Sequence, residues 1–217
     1  MLLTYLYQNF LEEDHFAASA GFTIQELQAL INAKVFPEAS YVYYASAEAT
    51  SFLGEFRDKQ PYRFHLKGHT IWLHNVVSLG LRDEKHARDY FFARYNAARQ
   101  AFAGGELYRQ LSPLVPDVLK RFDQHHADAT WQHFLHGVYG VCTRDGRPET
   151  VFQKQIGVMI IDHLIAEESE ERDATQTAQL KEMVDFLDIA ESDFAPHEVR
   201  HSSRQRCIID VRDRFLA

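Results

Sequence analysis

What this chain lacks narrows its function classes first. No apolar run reaches the roughly 18 residues that a membrane-crossing helix needs. The longest candidates, Ile71–Val77 and Ile156–Ile161, are interrupted by His or Asn or flanked by charge. The segment Met1–Phe16 has no basic stretch and carries Glu12, Glu13 and Asp14, so it does not read as a secretory signal. A cytoplasmic location is the expectation, with no membrane partner. Cysteine is scarce: two residues, Cys142 and Cys207, exclude a disulfide scaffold and fit reduced thiols. Ten glycines and six prolines exclude a collagen-like or low-complexity chain. Also missing are Gly-x-Gly-x-x-Gly, a phosphate-cradling lysine loop, Gly-x-Ser-x-Gly and His-Glu-x-x-His. Nucleotide-cofactor enzymes and ordinary serine hydrolases are thereby disfavoured.

What is present is material for a core. Sixteen Phe, ten Tyr and two Trp exclude disorder as the main state. A length of 217 residues suits one domain, or one with a small appendage. The net charge of −8 is unevenly laid out. Residues 57–109 hold ten bases and five acids, while the flanks on both sides are acidic. A basic middle of this kind either complements acidic helices within the fold or presents an anion-binding surface. The bases are spread among acids along a helix-like segment, which favours the first. Protonating all twelve histidines would carry the charge from −8 to +4, so association or solubility is expected to change between about pH 7 and pH 5.

Leu2–Phe10 and Glu12–Ala20 read as short helices, the second ending at Gly21. Thr23 with Glu26 is a capping box, followed by Leu27, Leu30 and Ile31 at helical spacing, and Pro37 ends the run. Helix, glycine turn and capped helix outline a helix-turn-helix unit. A short helical stretch is expected around Ala47–Arg57. Tyr62, Phe64 and Leu66 alternate with Arg63 and His65, Lys67-Gly68-His69 reads as a turn, and Thr70–Leu73 with Val76–Val77 is rich in strand formers. That predicts a β-hairpin over 61–77 and, with the preceding helices, a winged-helix outline. From Leu79 onward the pattern is helical. Asp128 is expected to cap the helix carrying Trp131 and Phe134. Pro148 suits the start of a helix to about Glu167, and Glu167–Asp173 reads as a charged loop. Asp173 with Gln176 is a second capping box, and Pro196 is expected to start the last helix. The fold class is mainly α: a helix-turn-helix-like unit with a hairpin at 1–78, then a helical bundle at 79–217.

The densest chemistry lies in WQHFLHGVYGVCTR, Trp131–Arg144. On one continuous helix His133, His136, Gly137 and Gly140 share a face. Two imidazoles at that spacing can both reach one ligand or serve as acid and base near neutral pH. Gly137 and Gly140 equally describe a notched packing face, and that reading is favoured. The candidate catalytic set is His133, His136, Tyr139 and Cys142. Arg144 can hold a carboxylate or phosphate. Arg94 and Tyr95, on the basic aromatic helix, and Trp131 complete a candidate ligand-binding set. No metal or cofactor is assigned. Zinc would want a third protein ligand, with His163, Glu167, His125 or His126 to choose from. Cys142 and Cys207 sit in apolar surroundings that suit structural thiols. His125-His126 with Asp128 spells His-x-Asp, two ligands of an iron triad, but too few strands are expected for the barrels that use it.

WQHFLHGVYGVCTRDGRPETVFQKQ at Trp131–Gln155 and SSRQRCIIDVRDRFL at Ser202–Leu216 resemble a bacterial domain-of-unknown-function family labelled natural product biosynthesis protein. The stretch Phe10–Tyr41 resembles that family's opening, and its outline also looks like a divergent MerR-type helix-turn-helix. The family resemblance implies a place in a small-molecule pathway and transfers no catalytic residues. The MerR-like outline departs in charge: Gln25, Gln28, Asn32 and Lys34 mark its second helix, within an acidic segment. DNA affinity depends on phosphate neutralisation, so a nucleic-acid partner is disfavoured. Three readings stay open: a catalytic or accessory protein of a small-molecule pathway, a divergent winged-helix regulator, and a homodimeric interaction module without chemistry.

Overall fold

A computed structural model describes residues 1–166 and 172–216. The chain opens with α1 (Leu2–Asn9), the short strand β1 (Phe10–Glu12), α2 (Glu13–Ser19) and α3 (Ile24–Asn32). Gly21 takes φ +77 in the turn between α2 and α3. Thr23 Oγ1 accepts the Glu26 N–H at 3.2 Å and Glu26 Oε2 accepts the Thr23 N–H at 2.8 Å, closing the capping box. Gln28 on α3 donates to Glu13 Oε1 of α2 at 2.6 Å, which ties the two helices together.

The hairpin exists, but not where alternation places it. Its strands are β2 (Tyr41–Ser51) and β3 (Gly54–Leu66), with Phe52 and Leu53 at the turn. The sheet order is β1-β3-β2, all antiparallel, and β1 meets only Phe64–Leu66 of β3. Ala47–Arg57, expected to be helical, is therefore the outer part of the ribbon. The turn at Lys67–His69 does not join two strands, because α4 (His69–Ser78) follows directly. Its strand-forming residues are overridden by burial: His69, Trp72, Leu73 and Val76 fall at helical spacing and all enter the core. Trp72 Nε1 also donates to the Val35 carbonyl at 2.9 Å, joining α4 to the end of the α3 turn.

The remainder is helical. Asp83 caps α5 (Glu84–Ala103) and α6 (Glu106–Leu111) follows. Asp123 caps α7 (Gln124–Leu135), accepting the His126 N–H at 2.9 Å. Asp128, the expected cap, instead lies inside α7 and pairs with Arg88. Then come α8 (Val138–Cys142), α9 (Pro148–Ala166) and α10 (Ala174–Ala190), the last opened by the Asp173–Gln176 capping box. Pro196 does not start the final helix. A 3₁₀ turn at Val199–His201 intervenes, and a π segment (Gln205–Ile209) leads into α11 (Asp210–Phe215). Of the charged loop expected at Glu167–Asp173, residues 167–171 lie outside the described residues.

One apolar core runs from Phe16 and Trp72 through Phe91, Trp131 and Phe152 to Val211. A smaller cluster of Tyr5, Leu6, Phe10, Phe64, Leu66 and Ala195 seats α1 on the sheet. No helix among the described residues is long and apolar enough to cross a membrane.

Candidate functional site

The motif Trp131–Arg144 does not form one helix. α7 ends at Leu135, His136 is its C-cap, and Gly137 turns the chain at φ +71 into α8. A Cβ at Gly137 would lie 2.6 Å from the Glu38 carbonyl oxygen, and one at Gly140 would lie 2.0 Å from Ser40 Oγ. Gly137 thus admits the Glu38–Ala39 backbone and Gly140 the Ser40 side chain, and the Glu38 N–H secures this segment on the Leu135 carbonyl at 2.8 Å. His133 and His136 are both exposed. The His133 ring meets Tyr139 edge-on at 6.3 Å between centroids.

The other expected site residues scatter. Cys142 is buried, and desolvation pushes its thiol above the ordinary range, against the pull of the Lys154 charge. Trp131 is fully buried and donates to Glu84 Oε1 at 3.0 Å. Arg94 pairs with Glu149. Arg144 donates twice to the Asp188 carbonyl at 3.2 Å, while the Asp188 carboxylate is held by Arg204 and Arg212 at 2.9 Å each. Burial works against that carboxyl's ionisation, but the two guanidiniums outweigh it and hold its pKa below the usual range.

Tyr95 and Tyr139, from helices α5 and α8, are brought together by a residue that periodicity left unremarked. Gln155 on α9 accepts the Tyr95 hydroxyl on Oε1 and donates from Nε2 to the Tyr139 oxygen at 2.8 Å and to Thr130 Oγ1 at 3.1 Å. His126 Nε2 stands 3.2 Å from Gln155 Oε1 and 3.4 Å from the Tyr95 oxygen. With the Nε2–H tautomer, every one of these groups has a partner. Burial pushes both phenols further above their ordinary pKa, so both remain proton donors at neutral pH.

Tyr95 and His126 form one wall of a cleft of about 490 Å³ between α5 and the start of α7. Phe92 and Phe122 flank it, with the Arg88 guanidinium 5.6 Å from the Phe92 ring centre and that of Arg99 5.8 Å from Phe122. Arg88 is neutralised by Asp128. Arg99 donates only to the carbonyls of Leu119, at 2.7 Å, and Phe122, at 3.2 Å. It has no carboxylate partner within ion-pair distance among the described residues, although Asp89 and Asp123 also line the cleft. Tyr95, Tyr139 and His126 carried a signal in the sequence. Arg99 and Gln155 lie one helical turn beyond Tyr95 on α5 and on a different helix, and neither belongs to a short motif.

A second polar cluster is fully enclosed. His69 is 1% exposed, and among the described residues neither its ring nitrogens nor Ser40 Oγ beside it has a hydrogen-bond partner. The ring sits edge-on to Phe36 and Phe134, with centroids 6.0 and 6.3 Å away. Potential metal ligands come together once among the described residues, at Glu12, Asp14 and His15 on the surface. Of the zinc ligands considered above, Glu167 lies outside the described residues.

A family model described as Family of unknown function (DUF6058) matches residues 87–216, and the chain belongs to that family. The match covers both C-terminal stretches on which the resemblance rests and leaves Phe10–Tyr41 outside it. No curated protein and no solved structure matches the chain.

Proposed function

We propose that this member of the family binds a small anionic molecule in the α5–α7 cleft, as a catalytic or accessory protein of a small-molecule pathway. The observation that carries the reading is the Tyr95–Gln155–Tyr139 bridge with His126 beside it, opening on a cleft that also holds an unpaired arginine. A volume of about 490 Å³ lies within the range of ligand pockets. Arg99 supplies the charge for a carboxylate or phosphate. Tyr95 spends its one proton on Gln155 and lines the cleft, while His126, with Nε2–H held on Gln155 and Tyr95, keeps Nδ1 as an acceptor for a hydroxyl on the same molecule. Tyr139 acts one step back, fixing the Gln155 amide and through it the Tyr95 hydroxyl. Phe92 and Phe122 provide apolar contact on a lining that is otherwise mostly polar. Arg94, Trp131 and Arg144 face other partners and are not part of this site.

The test is native mass spectrometry of the purified protein, followed by thermal unfolding against a panel of small carboxylates and organic phosphates. A ligand at a hundred times its Kd stabilises by about 2.7 kcal/mol, which is about 5–10 °C in Tm for a chain of this size. The shift should vanish in Tyr95→Phe/Arg99→Lys protein that still folds. A shift that persists undiminished in that variant, or no retained ligand and no shift across the panel, defeats the proposal.

A further inference from the structure

The outer half of the hairpin stands alone. β1 pairs with β3 only at Phe64–Leu66, so beyond Tyr44 and Pro61 the ribbon is two-stranded, and nearly all its side chains are exposed on both faces. A two-stranded ribbon is marginal in water without a further layer or strand. This one ends in Phe52, 96% exposed, and Leu53, 83% exposed.

Its two edges differ in chemistry. The free length of β3 carries Glu55, Arg57, Asp58, Lys59, Pro61 and Arg63, the charges and proline that block strand addition. β2 carries one charge, Glu48, in eleven residues and no proline. Its outward backbone N–H and C=O groups have no backbone partner among the described residues. The guarded edge and the open edge belong to the same ribbon.

We propose that a second copy of this chain closes the open edge. β2 pairs antiparallel with the partner's β2 about a two-fold axis at Ala47, giving a four-stranded sheet in the order β3-β2-β2-β3. An identical strand running the other way offers the donors and acceptors this edge needs, and a two-fold contact must be self-complementary. The register follows from the side chains. With the axis at Ala47, Ala45 lies opposite the partner's Ala49 and Glu48 opposite the partner's Ser46. Val42, 44% exposed, then lies beside the partner's turn, within reach of its exposed Phe52. No like charges meet directly, whereas a register centred on Glu48 would oppose two carboxylates.

Light scattering on the full chain over a wide concentration range tests this. The expected mass is twice 25.2 kDa, falling to the monomer value in Ala47→Lys, whose far-UV circular dichroism stays that of the parent because Ala47 is exposed and touches no core residue. In oxidising buffer Ala47→Cys should form a covalent dimer, because directly opposed Cα atoms lie about 4.5–5.5 Å apart. Glu55→Cys on the other strand should not, and the native Cys142 and Cys207 are buried. A monomeric parent, a dimer that survives Ala47→Lys, or an Ala47→Cys protein that stays uncrosslinked overturns the proposal. None of these outcomes depends on the cleft or its ligand.

Discussion

Replacing His69 with leucine removes a proton-binding group that the unfolded chain offers and the folded chain withholds. In the fold the ring is enclosed between Phe36 and Phe134, and neither nitrogen has a partner among the described residues. Desolvation, helped by the nearby His65 and only partly opposed by Asp145, pushes its pKa from 6.5 down to about 3. The sign follows from linkage. Below pH 6.5 the unfolded chain takes up a proton at this site and the folded chain does not, so stability is lost as pH falls from 6.5 toward 3. Each pH unit in that window is worth about 1.4 kcal/mol. The loss from this one residue is then about 2 kcal/mol at pH 5 and about 3 at pH 4, against a typical total of about 5–15. Urea unfolding of the parent and of His69→Leu at pH 7.5 and pH 5 isolates the effect, because other titrating groups are common to both. The variant is expected to gain about 2 kcal/mol relative to the parent between those two pH values. Parallel pH profiles would refute the reasoning and show that the buried ring keeps a solvated route for its proton.

Gln155→Leu strips partners from the Tyr95 and Tyr139 hydroxyls together and should cost about 2–4 kcal/mol in chemical denaturation. Adding Tyr95→Phe and Tyr139→Phe should recover part of that loss, since both phenol hydroxyls are then gone and only Thr130 and His126 of the network are left without Gln155. Gly140→Ala should destabilise by about 1–3 kcal/mol despite alanine's better helix propensity. Its Cβ would fall 2.0 Å from Ser40 Oγ and 3.1 Å from Ser40 Cβ, and Ser40→Gly in the same chain should restore stability.

The parts of the fold legible in the sequence are those that one turn of chain decides. Thr23 with Glu26 and Asp173 with Gln176 close their capping boxes through side chains three residues apart, so the pattern is the mechanism. Pro148 opens α9 because its fixed φ and missing N–H suit a first helical position. The hairpin was misplaced because its determinants are not local. Val76 and Val77 favour strands in isolation, yet α4 forms because a helix lets His69, Trp72, Leu73 and Val76 reach the core together. Ala47–Ala49 favours a helix in isolation, yet it is extended because Tyr41–Ser51 finds an eleven-residue register on β3. In both places tertiary contact overrode propensity. The same reason hid Asp123 behind Asp128: either can cap a helix, and what reserves Asp128 for another task is Arg88, forty residues away in the chain.

The candidate site was half legible for a related reason. A sequence advertises reactive residues by density, and Trp131–Arg144 is the densest run in the chain. Much of that density is a seam. Gly137 lets the Glu38–Ala39 backbone approach and Gly140 the Ser40 side chain, Thr143 Oγ1 accepts the Gly146 N–H at 3.0 Å, and Arg144 clamps the Asp188 carbonyl. A seam needs small residues and local hydrogen bonders at fixed spacing, and so does a catalytic motif. What separates them is whether the polar atoms end on protein or on open space. By that criterion the run divides at Tyr139, which meets Gln155 and through it Tyr95 and the cleft. Gln155 is an ordinary helical glutamine until three helices converge on it. Its role depends on distances across the fold, and the separation of sixteen residues from Tyr139 and sixty from Tyr95 puts it beyond any motif that a linear reading can frame.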